Sequence, residues 1–145
     1  MSDFSGDRFS RLLKSLTLRE ITPMELLSKR LGDIPQGVEM QLEWKQAFAD
    51  GDPVLASPEI EIFRPKFDFF VRQGTAEVFH QTSIFILAFN VVDPAAFREL
   101  WAEESLRKVF MEKQIQRTMW PIFRQHVIDG MSRLAMQPIP LPWLI

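Results

Sequence analysis

Residues 117–145 read RTMWPIFRQHVIDGMSRLAMQPIPLPWLI, and this stretch decides how the rest of the chain is interpreted. Counted from just upstream, its apolar residues recur at steps of three and four, which places them on one face of a helix. They are Ile115, Met119, Ile122, Phe123, Val127, Met131 and Leu134. Gly130 lies near the middle of this face, where a bare Cα lets another backbone come close. Because Pro138, Pro140 and Pro142 lack a backbone N–H, the helix is expected to end before them and the chain to continue as an extended tail.

Strand patterns fill most of the chain upstream of this helix. They predict four strands, at residues 15–30, 38–45, 59–72 and 76–91. Pro23 has no donor for a strand ladder, so the first strand is expected at a sheet edge or with a bulge. Asp50 to Pro53 and Ser57–Pro58 are expected to bound a loop between the second and third strands.

The third and fourth predicted strands carry two special features. Apolar residues change phase after Ile62, which predicts a β-bulge near Phe63–Pro65. Gly74 lies in a tight connection, so the two strands are expected to form a hairpin. Residues 84–89 read IFILAF and are apolar on both faces. One face can pack on the helix, and a second subunit is the simplest cover for the other.

The remaining residues predict short helices. Residues 7–14 have helical spacing, and Asp93 before Pro94 is a typical helix start. Between 94 and 117 the pattern predicts one broken helix or two short ones, with Ser105 as a candidate second cap. Pro121 lies in the first turn of the last helix if Thr118 caps it, and otherwise kinks a longer helix. The predicted fold class is α+β: a four-stranded antiparallel sheet packed by a long C-terminal helix, in one domain spanning 1–145.

Composition excludes several classes of protein. The 145 residues include 17 Lys and Arg against 19 Asp and Glu, for a net charge of −2, which argues against a nucleic-acid-binding protein. There is no cysteine, so disulfide and thiolate chemistry are absent. The N-terminus does not have the pattern of a signal peptide, and no apolar run reaches the ~18–20 residues of a membrane span. We therefore expect a cytoplasmic protein without membrane insertion.

The aromatic content is unusual, with 13 Phe, 4 Trp and 7 Met but no Tyr. Such residues favour a Phe-rich core, since large apolar side chains are usually buried. They also suit a surface that adapts to apolar partners of varied shape. Both interpretations stay open at this point.

No recognisable catalytic or metal-binding motif is present in the sequence. His80 and His126 are far apart, whereas zinc ligands usually come in closely spaced pairs, so each histidine is interpreted as structural. Glu59 and Glu61 share one strand face, but alternating carboxylates are typical of a solvated surface. The sequence therefore predicts a binding protein rather than an enzyme, with no cofactor and no metal.

The order of elements and a few residues resemble the SecB and SecB-like chaperones. Residues 120–125, WPIFRQ, are similar to the Phe-Pro-Tyr-aliphatic-Arg-Glu segment that starts the long helix of that family. Residues 131–136 and the Pro138–Leu141 segment resemble its helix end and its aliphatic-proline tail. The first strand also resembles that of the family. The helix before it is closer to the SecB-like chaperones that accompany toxin–antitoxin pairs than to ordinary SecB.

This resemblance implies a tetramer, built as a dimer of dimers, that holds unfolded polypeptide in long apolar grooves without ATP. The sequence itself predicts a homo-oligomer, either a dimer or a tetramer. Its partners are expected to be unfolded polypeptide or preprotein clients, or an antitoxin. Ordinary SecB is strongly acidic and has a docking tail for the export ATPase, and this chain departs from both features. The candidate groove residues, each of which can equally belong to the core or to a subunit interface, are Trp44, Phe48, Phe85, Leu87, Trp120, Phe123 and Trp143.

Three functional hypotheses follow from the sequence. The first is an ATP-independent holdase of SecB-like type, linked to protein export or to an antitoxin client. The second is an oligomeric adaptor that binds one dedicated folded partner. The third, an enzyme with a cleft over the sheet, has no motif to support it.

Overall fold

A computed structural model describes residues 6–33, 39–137 and 139 of the chain. Its elements follow one another as α1 (Gly6–Lys14), β1 (Leu16–Arg30), β2 (Gln41–Phe48), β3 (Val54–Ser57), β4 (Ile60–Phe63), β5 (Pro65–Gln73), β6 (Ala76–Val91), α2 (Pro94–Trp101), α3 (Glu104–Val109), a π-helical turn (Phe110–Gln114) and α4 (Ile115–Arg133). No helix of the described residues is long and apolar enough to cross a membrane.

The six strands form four rows of an antiparallel sheet. β6 pairs with β1 on one side, and with β5 and then β4 on the other. Phe63 lies opposite Leu87 and Lys66 lies opposite Ile84, so β4 and β5 keep one register and form a single row. β2 pairs with β5 and β3 with β4 in the outermost row. The predicted four strands therefore correspond to four rows, whereas the expected loop contains the additional strand β3.

The predicted bulge near Phe63–Pro65 is absent. The odd-numbered residues stay on the buried side through the whole row, from Glu61 through Phe63, Pro65 and Phe67 to Val71. The apparent change of phase arises because Glu61 points inward, while Ile60 and Ile62 lie half-buried on the opposite side. A charged residue on the buried face and apolar residues on the other face mimic a shift of register.

All the helices lie on one side of the sheet, which we call the helix face. From Phe79 to Val91 the odd-numbered residues of β6 point into it and are buried, whereas even-numbered residues from His80 to Asn90 are half-buried on the other side, the open face. The ring of Phe123 in α4 stacks on Phe67 with centroids 5.2 Å apart, and Phe63 contacts Phe110 at 5.4 Å. The hydrophobic core therefore lies between the helices and this one face.

The helix boundaries decide between the sequence alternatives. Asp93 caps α2 by accepting a hydrogen bond from the Ala96 N–H at 3.1 Å, as predicted. α3 follows as a separate short helix, and Ser105 lies inside it rather than at its cap. α4 begins at Ile115, so Pro121 lies inside a longer helical segment. Thr118 does not cap the helix, because its hydroxyl donates to the Gln114 carbonyl at 2.9 Å.

A close approach is present at Gly130, but two side chains rather than another backbone make it. Gly130 is buried in α4, and a Cβ at this position would overlap Gln81 Oε1 and Ser28 Oγ. Those two side chains form a hydrogen bond of 2.9 Å on the helix face. The absence of a side chain therefore lets α4 cross β1 and β6 directly above this polar pair.

The predictions for β1 and for the C-terminal tail have different outcomes. β1 pairs only with β6 among the described strands, and its register changes between Pro23 and Glu25, which confirms the edge position and the irregularity predicted for it. α4 ends at Arg133, followed by Ala135 with a φ of +57°. The extended tail predicted from Pro138, Pro140 and Pro142 lies outside the described residues.

Candidate functional site

The open face of the sheet carries the candidate site. Ile84, Ile86 and Ala88 of β6 point to this face, because β-strand side chains alternate and the odd residues occupy the helix face. Ile60 and Ile62 of β4 extend the apolar area beside them, as Ile62 lies opposite Ala88. This half of the open face is therefore apolar, and no helix of the described residues covers it.

A cavity of about 300 Å³ opens on this face, at the low end of the range for ligand pockets. Its surface is almost wholly apolar, including the aliphatic parts of two cationic side chains. The lining residues come from all four rows or the loop after β2, and they are Met24, Ala47, Phe48, Ala49, Arg64, Lys66, Ile84 and Ile86. Such a cavity accepts a bulky apolar side chain.

The register of the sheet explains why the cavity forms here. Ala47 lies opposite Lys66, and Lys66 lies opposite Ile84, so these three residues are neighbours across β2, β5 and β6. The small side chain of Ala47 leaves open a space that a larger side chain would fill. Ala49, just beyond β2, adds a second small side chain at the same end. Two alanines beside two isoleucines therefore leave a hollow in an otherwise continuous surface.

The two cations at the cavity differ in their pairing. Arg64 Nε donates to Asp52 Oδ1 at 2.7 Å, and the Asp52 side chain is only 1% exposed. Arg64 also donates to the Asp50 carbonyl at 3.1 Å, which fixes the guanidinium in the loop before β3. The Lys66 side chain is exposed and forms no ion pair or hydrogen bond with the described residues. The cavity therefore has one uncompensated positive charge, that of Lys66.

The other half of the open face is polar. The Phe70 and His80 rings stack with centroids 4.4 Å apart, and the Arg72 guanidinium lies 5.0 Å from the Phe70 ring centroid. Thr82 donates to Asp68 Oδ1 at 2.8 Å, and His80 Nε2 lies 3.2 Å from the same oxygen. A nucleophilic triad needs the imidazole between hydroxyl and carboxylate. Here His80 Nε2 lies 3.4 Å from the Thr82 hydroxyl, but that hydroxyl donates to Asp68, and the 3.7 Å between His80 Nδ1 and Glu77 Oε1 exceeds hydrogen-bond distance, so the cluster is not aligned as a triad.

Two ionisable groups lie on the helix face, the buried Glu61 and the half-buried His126. Burial raises the pKa of Glu61 above its ordinary value, partly offset by the nearby positive charge of Arg98. Burial lowers the pKa of His126, whose ring stacks on Phe85 with centroids 5.1 Å apart. Neither group lines the cavity. Within residues 6–33, 39–137 and 139 there is also no cluster of three His, Cys, Asp or Glu side chains able to hold a metal ion.

The structure separates the seven groove residues suggested by the sequence. Phe85, Leu87, Trp120 and Phe123 are buried in the core, with at most 2% exposure. In this conformation they are core rather than groove, because a side chain without accessible surface cannot contact a client. Client contact by these four stays a prediction that would need the core to open.

The other three suggested residues have different positions. Trp44 is half-buried and contacts Trp120 with ring centroids 4.9 Å apart, on the helix face. Phe48 is half-buried, packs against the core and also lines the cavity. Trp143 lies outside the described residues. Of the seven, Phe48 alone is brought to the cavity among the residues that can be described.

The sequence reasoning missed most of the cavity. Ile84 and Ile86 had a signal, because residues 84–89 are apolar on both faces, but the helix-face member Phe85 was chosen instead. Met24 and Lys66 had no signal, since their meeting depends on the pairing of β1, β5 and β6. Only the register of the sheet brings these distant positions together.

β1 presents a second exposed apolar surface. Leu18, Met24, Leu26 and Leu27 are all between 38% and 58% exposed along this one strand. The outer side of β1 has no strand partner among the described elements. An exposed, apolar edge strand of 15 residues is a typical site for pairing with another chain.

Comparison with known proteins shows which solved structures share this architecture. No family model and no curated protein sequence matches the chain. Among solved structures, the Mycobacterium tuberculosis Rv1957 SecB-like chaperone, in complex with a ChAD peptide from the HigA1 antitoxin, matches with a TM-score of 0.71. The match covers 95% of this chain and 97% of the other at 18% identity. A Streptococcus agalactiae protein of unknown function matches at 11% identity and a TM-score of 0.43, covering 88% and 97% of the two chains. The chain thus has the fold of the SecB-like chaperones, as the resemblance in its sequence predicted.

Proposed function

We propose that this protein is an ATP-independent chaperone that binds extended segments of unfolded or nascent polypeptide on the open face of its sheet. The observation that carries the proposal is the apolar cavity bordered by Met24, Ile84 and Ile86. Unfolded clients offer bulky apolar side chains in an extended backbone, which fit such a cavity. We place this activity in the cytoplasm as part of the same proposal.

The size of the cavity sets the strength of the interaction. Full burial of one Leu or Phe side chain contributes about 1.5–3 kcal/mol, which alone gives only a weak, rapidly reversible complex. The neighbouring apolar residues Ile60, Ile62 and Ala88 add contacts for further client side chains. Several weak contacts on one face bind an unfolded chain and release it without nucleotide hydrolysis.

The fold supports a specific kind of client. The Rv1957 chaperone, which has this fold, is in complex with an antitoxin peptide. We therefore propose an antitoxin segment, or an unfolded preprotein, as the client of this chain. Binding of an exposed segment keeps such a client from aggregating until it meets its own partner.

Light scattering of a chemically unfolded model client, diluted into buffer without nucleotide, tests the proposal. Stoichiometric amounts of the protein are expected to suppress aggregation. Met24→Ser is expected to weaken this suppression, because Met24 lines the cavity and is 58% exposed, so its loss costs little stability. Leu27→Ser is the matched control, since Leu27 is 44% exposed on the same strand but does not line the cavity.

Each result has a clear meaning. Suppression that Met24→Ser weakens and Leu27→Ser preserves supports client binding at the cavity. Equal suppression by both variants assigns the activity to another surface. Failure of the native protein to suppress aggregation, together with recovery of one folded partner in a pull-down, favours the dedicated adaptor instead.

We also propose that the protein self-associates through β1. Its outer edge and its exposed residues Leu18 and Leu26 suit antiparallel pairing with a second copy. Light scattering coupled to size exclusion is expected to give a dimer or a tetramer for the native chain. A Leu18→Arg, Leu26→Arg double variant is expected to give a smaller mass, and an unchanged mass would reject β1 as the interface.

A further inference from the structure

We propose that the cavity selects client segments in which a bulky apolar side chain is flanked by an aspartate or glutamate, and that Lys66 is the residue that recognises the carboxylate. This inference rests on the proposed function, because it requires that the cavity bind polypeptide. It goes further by assigning a charge preference to the client and one residue to that preference.

Lys66 lies at the wall of the cavity, with its charge at the rim. Lys66 lies on β5 between Ala47 and Ile84, and all three residues line the cavity. The lining surface is almost wholly apolar, so the stem of Lys66 forms part of the wall while its ammonium reaches the rim. A client side chain seated in the cavity therefore brings its flanking residues close to this ammonium.

The charge of Lys66 is available to a ligand. Arg64, the other cation at the cavity, is held by the buried carboxylate of Asp52 and by the Asp50 carbonyl. Asp68, the next residue along β5 on the open face, accepts a hydrogen bond from the Thr82 hydroxyl and lies within hydrogen-bond distance of His80 Nε2. The Lys66 side chain has no ion pair within the described part of the chain, so its ammonium is available to a client carboxylate.

Charges around the cavity determine the side from which the client carboxylate comes. Glu25 lies opposite Ile84 on β1, two strands away from Lys66, or about 10 Å at the usual spacing of ~4.8 Å between strands. Its negative charge disfavours an acidic residue over β1. The client carboxylate is therefore placed toward β2, where Ala47 leaves space beside Lys66.

The physical size of the effect is that of an ion pair at a partly covered surface. Exposed pairs contribute modestly, which corresponds to about a two- to fivefold change in affinity. A seated apolar side chain excludes water next to the ammonium and strengthens the pair toward the upper end of this range. Because salt screens exposed charges, the preference is expected to weaken at high ionic strength.

Three synthetic peptides of ten residues, acetylated and amidated, provide the test. Each has one phenylalanine among serine and glycine, flanked on both sides by glutamate, glutamine or lysine. Titration followed by the NMR methyl signals of Ile84 and Ile86 reports binding at the cavity itself. We expect the glutamate peptide to bind about two- to fivefold more tightly than the glutamine peptide, and the lysine peptide to bind more weakly than either.

Variants of Lys66 isolate its role. Lys66→Gln is expected to remove the preference while binding of the glutamine peptide is retained, and Lys66→Glu to favour the lysine peptide. Lys29→Gln is the matched control, because Lys29 is exposed, lies opposite His80 on the same face and does not line the cavity. It is expected to keep the preference of the native protein.

The outcomes separate this inference from the function beneath it. If none of the peptides shifts the Ile84 and Ile86 signals, the cavity is not a polypeptide site and both proposals fail. If all three bind equally, polypeptide binding stands and the charge selection is refuted. If the preference persists in Lys66→Gln, another group recognises the carboxylate and the assignment to Lys66 is overturned.

Discussion

Replacement of Gly130 by alanine tests how tightly α4 packs on the sheet. The new Cβ would overlap Gln81 Oε1 and Ser28 Oγ, and would lie 3.2 Å from Gln81 Cδ. Gln81 is only 1% exposed, so its amide has little room to move away. The substitution is therefore expected to break the hydrogen bond from Ser28 to Gln81 or to push the helix outward.

Three contributions set the expected change in the free energy of unfolding. An unsatisfied buried carbonyl costs about 1–3 kcal/mol, and overpacking costs about 1–3 kcal/mol more. Alanine in place of glycine stabilises a helix by roughly 0.5–1 kcal/mol. The net expectation is a loss of about 3 kcal/mol in the free energy of unfolding, with a lower limit near ~1 kcal/mol.

Urea unfolding followed by tryptophan fluorescence measures this loss, since Trp120 is buried in the same helix. Gly6→Ala is the matched control, because a Cβ at Gly6 meets nothing within 4 Å. The loss is also expected to shrink when Gln81 is replaced by alanine, which removes the overlapping amide. An unchanged or increased stability of Gly130→Ala, or an equal loss in both backgrounds, would refute the packing described for α4.

Three further predictions concern the helix face. Phe123→Ala is expected to lower the free energy of unfolding by about 3–5 kcal/mol, because the ring is fully buried against Phe67, and urea unfolding measures it. Glu61→Gln is expected to raise the melting temperature at neutral pH and to have less effect at acidic pH, because burial raises the pKa of Glu61 and so makes its charged form costly in the folded state; an equal shift at both pH values would contradict this. Burial lowers the pKa of His126, so protonation of this histidine favours the unfolded chain. The contribution of neutral His126 to the stability of the fold is fully present above the unfolded pKa of about 6.5 and is lost as the pH falls below it. Urea midpoints at pH 7.5 and 5 are expected to differ less in His126→Gln than in the native protein, and equal differences would exclude the histidine.

Local rules predicted the parts of the fold that depend on neighbouring residues. Asp93 and Pro94 marked the start of α2, and Pro23 marked the irregular edge strand. Apolar steps of three and four identified α4 and the buried position of Gly130. In each case the signal and the structure that it determines lie within a few residues of each other.

The failures came from positions where tertiary packing overrides the polarity of the side chain. Glu61 points into the helix face although it is charged, and Ile60 and Ile62 lie on the open face. Polarity alone therefore indicated a bulge that the register of the sheet excludes. β3 was missed because its apolar residues Val54 and Leu55 are exposed in a short strand between two turns.

The candidate site was less predictable than the fold. Size and aromatic character favoured Trp120 and Phe123 as groove residues, but the same properties make a side chain valuable to a core. The cavity instead depends on the small side chains of Ala47 and Ala49, which no pattern of large residues reveals. A hollow is specified by what is missing between strands, and that is visible only once the strands are paired.

The alternation along β6 also makes this protein a tractable scaffold for engineering. Odd positions such as Phe85 and Leu87 specify the core, whereas even positions such as Ile84 and Ile86 face the cavity from the same 16-residue strand. A combinatorial library confined to the even positions would vary ligand preference while the folding determinants stay fixed. Selection from such a library would yield binders of new specificity from a single strand, without redesign of the helical layer.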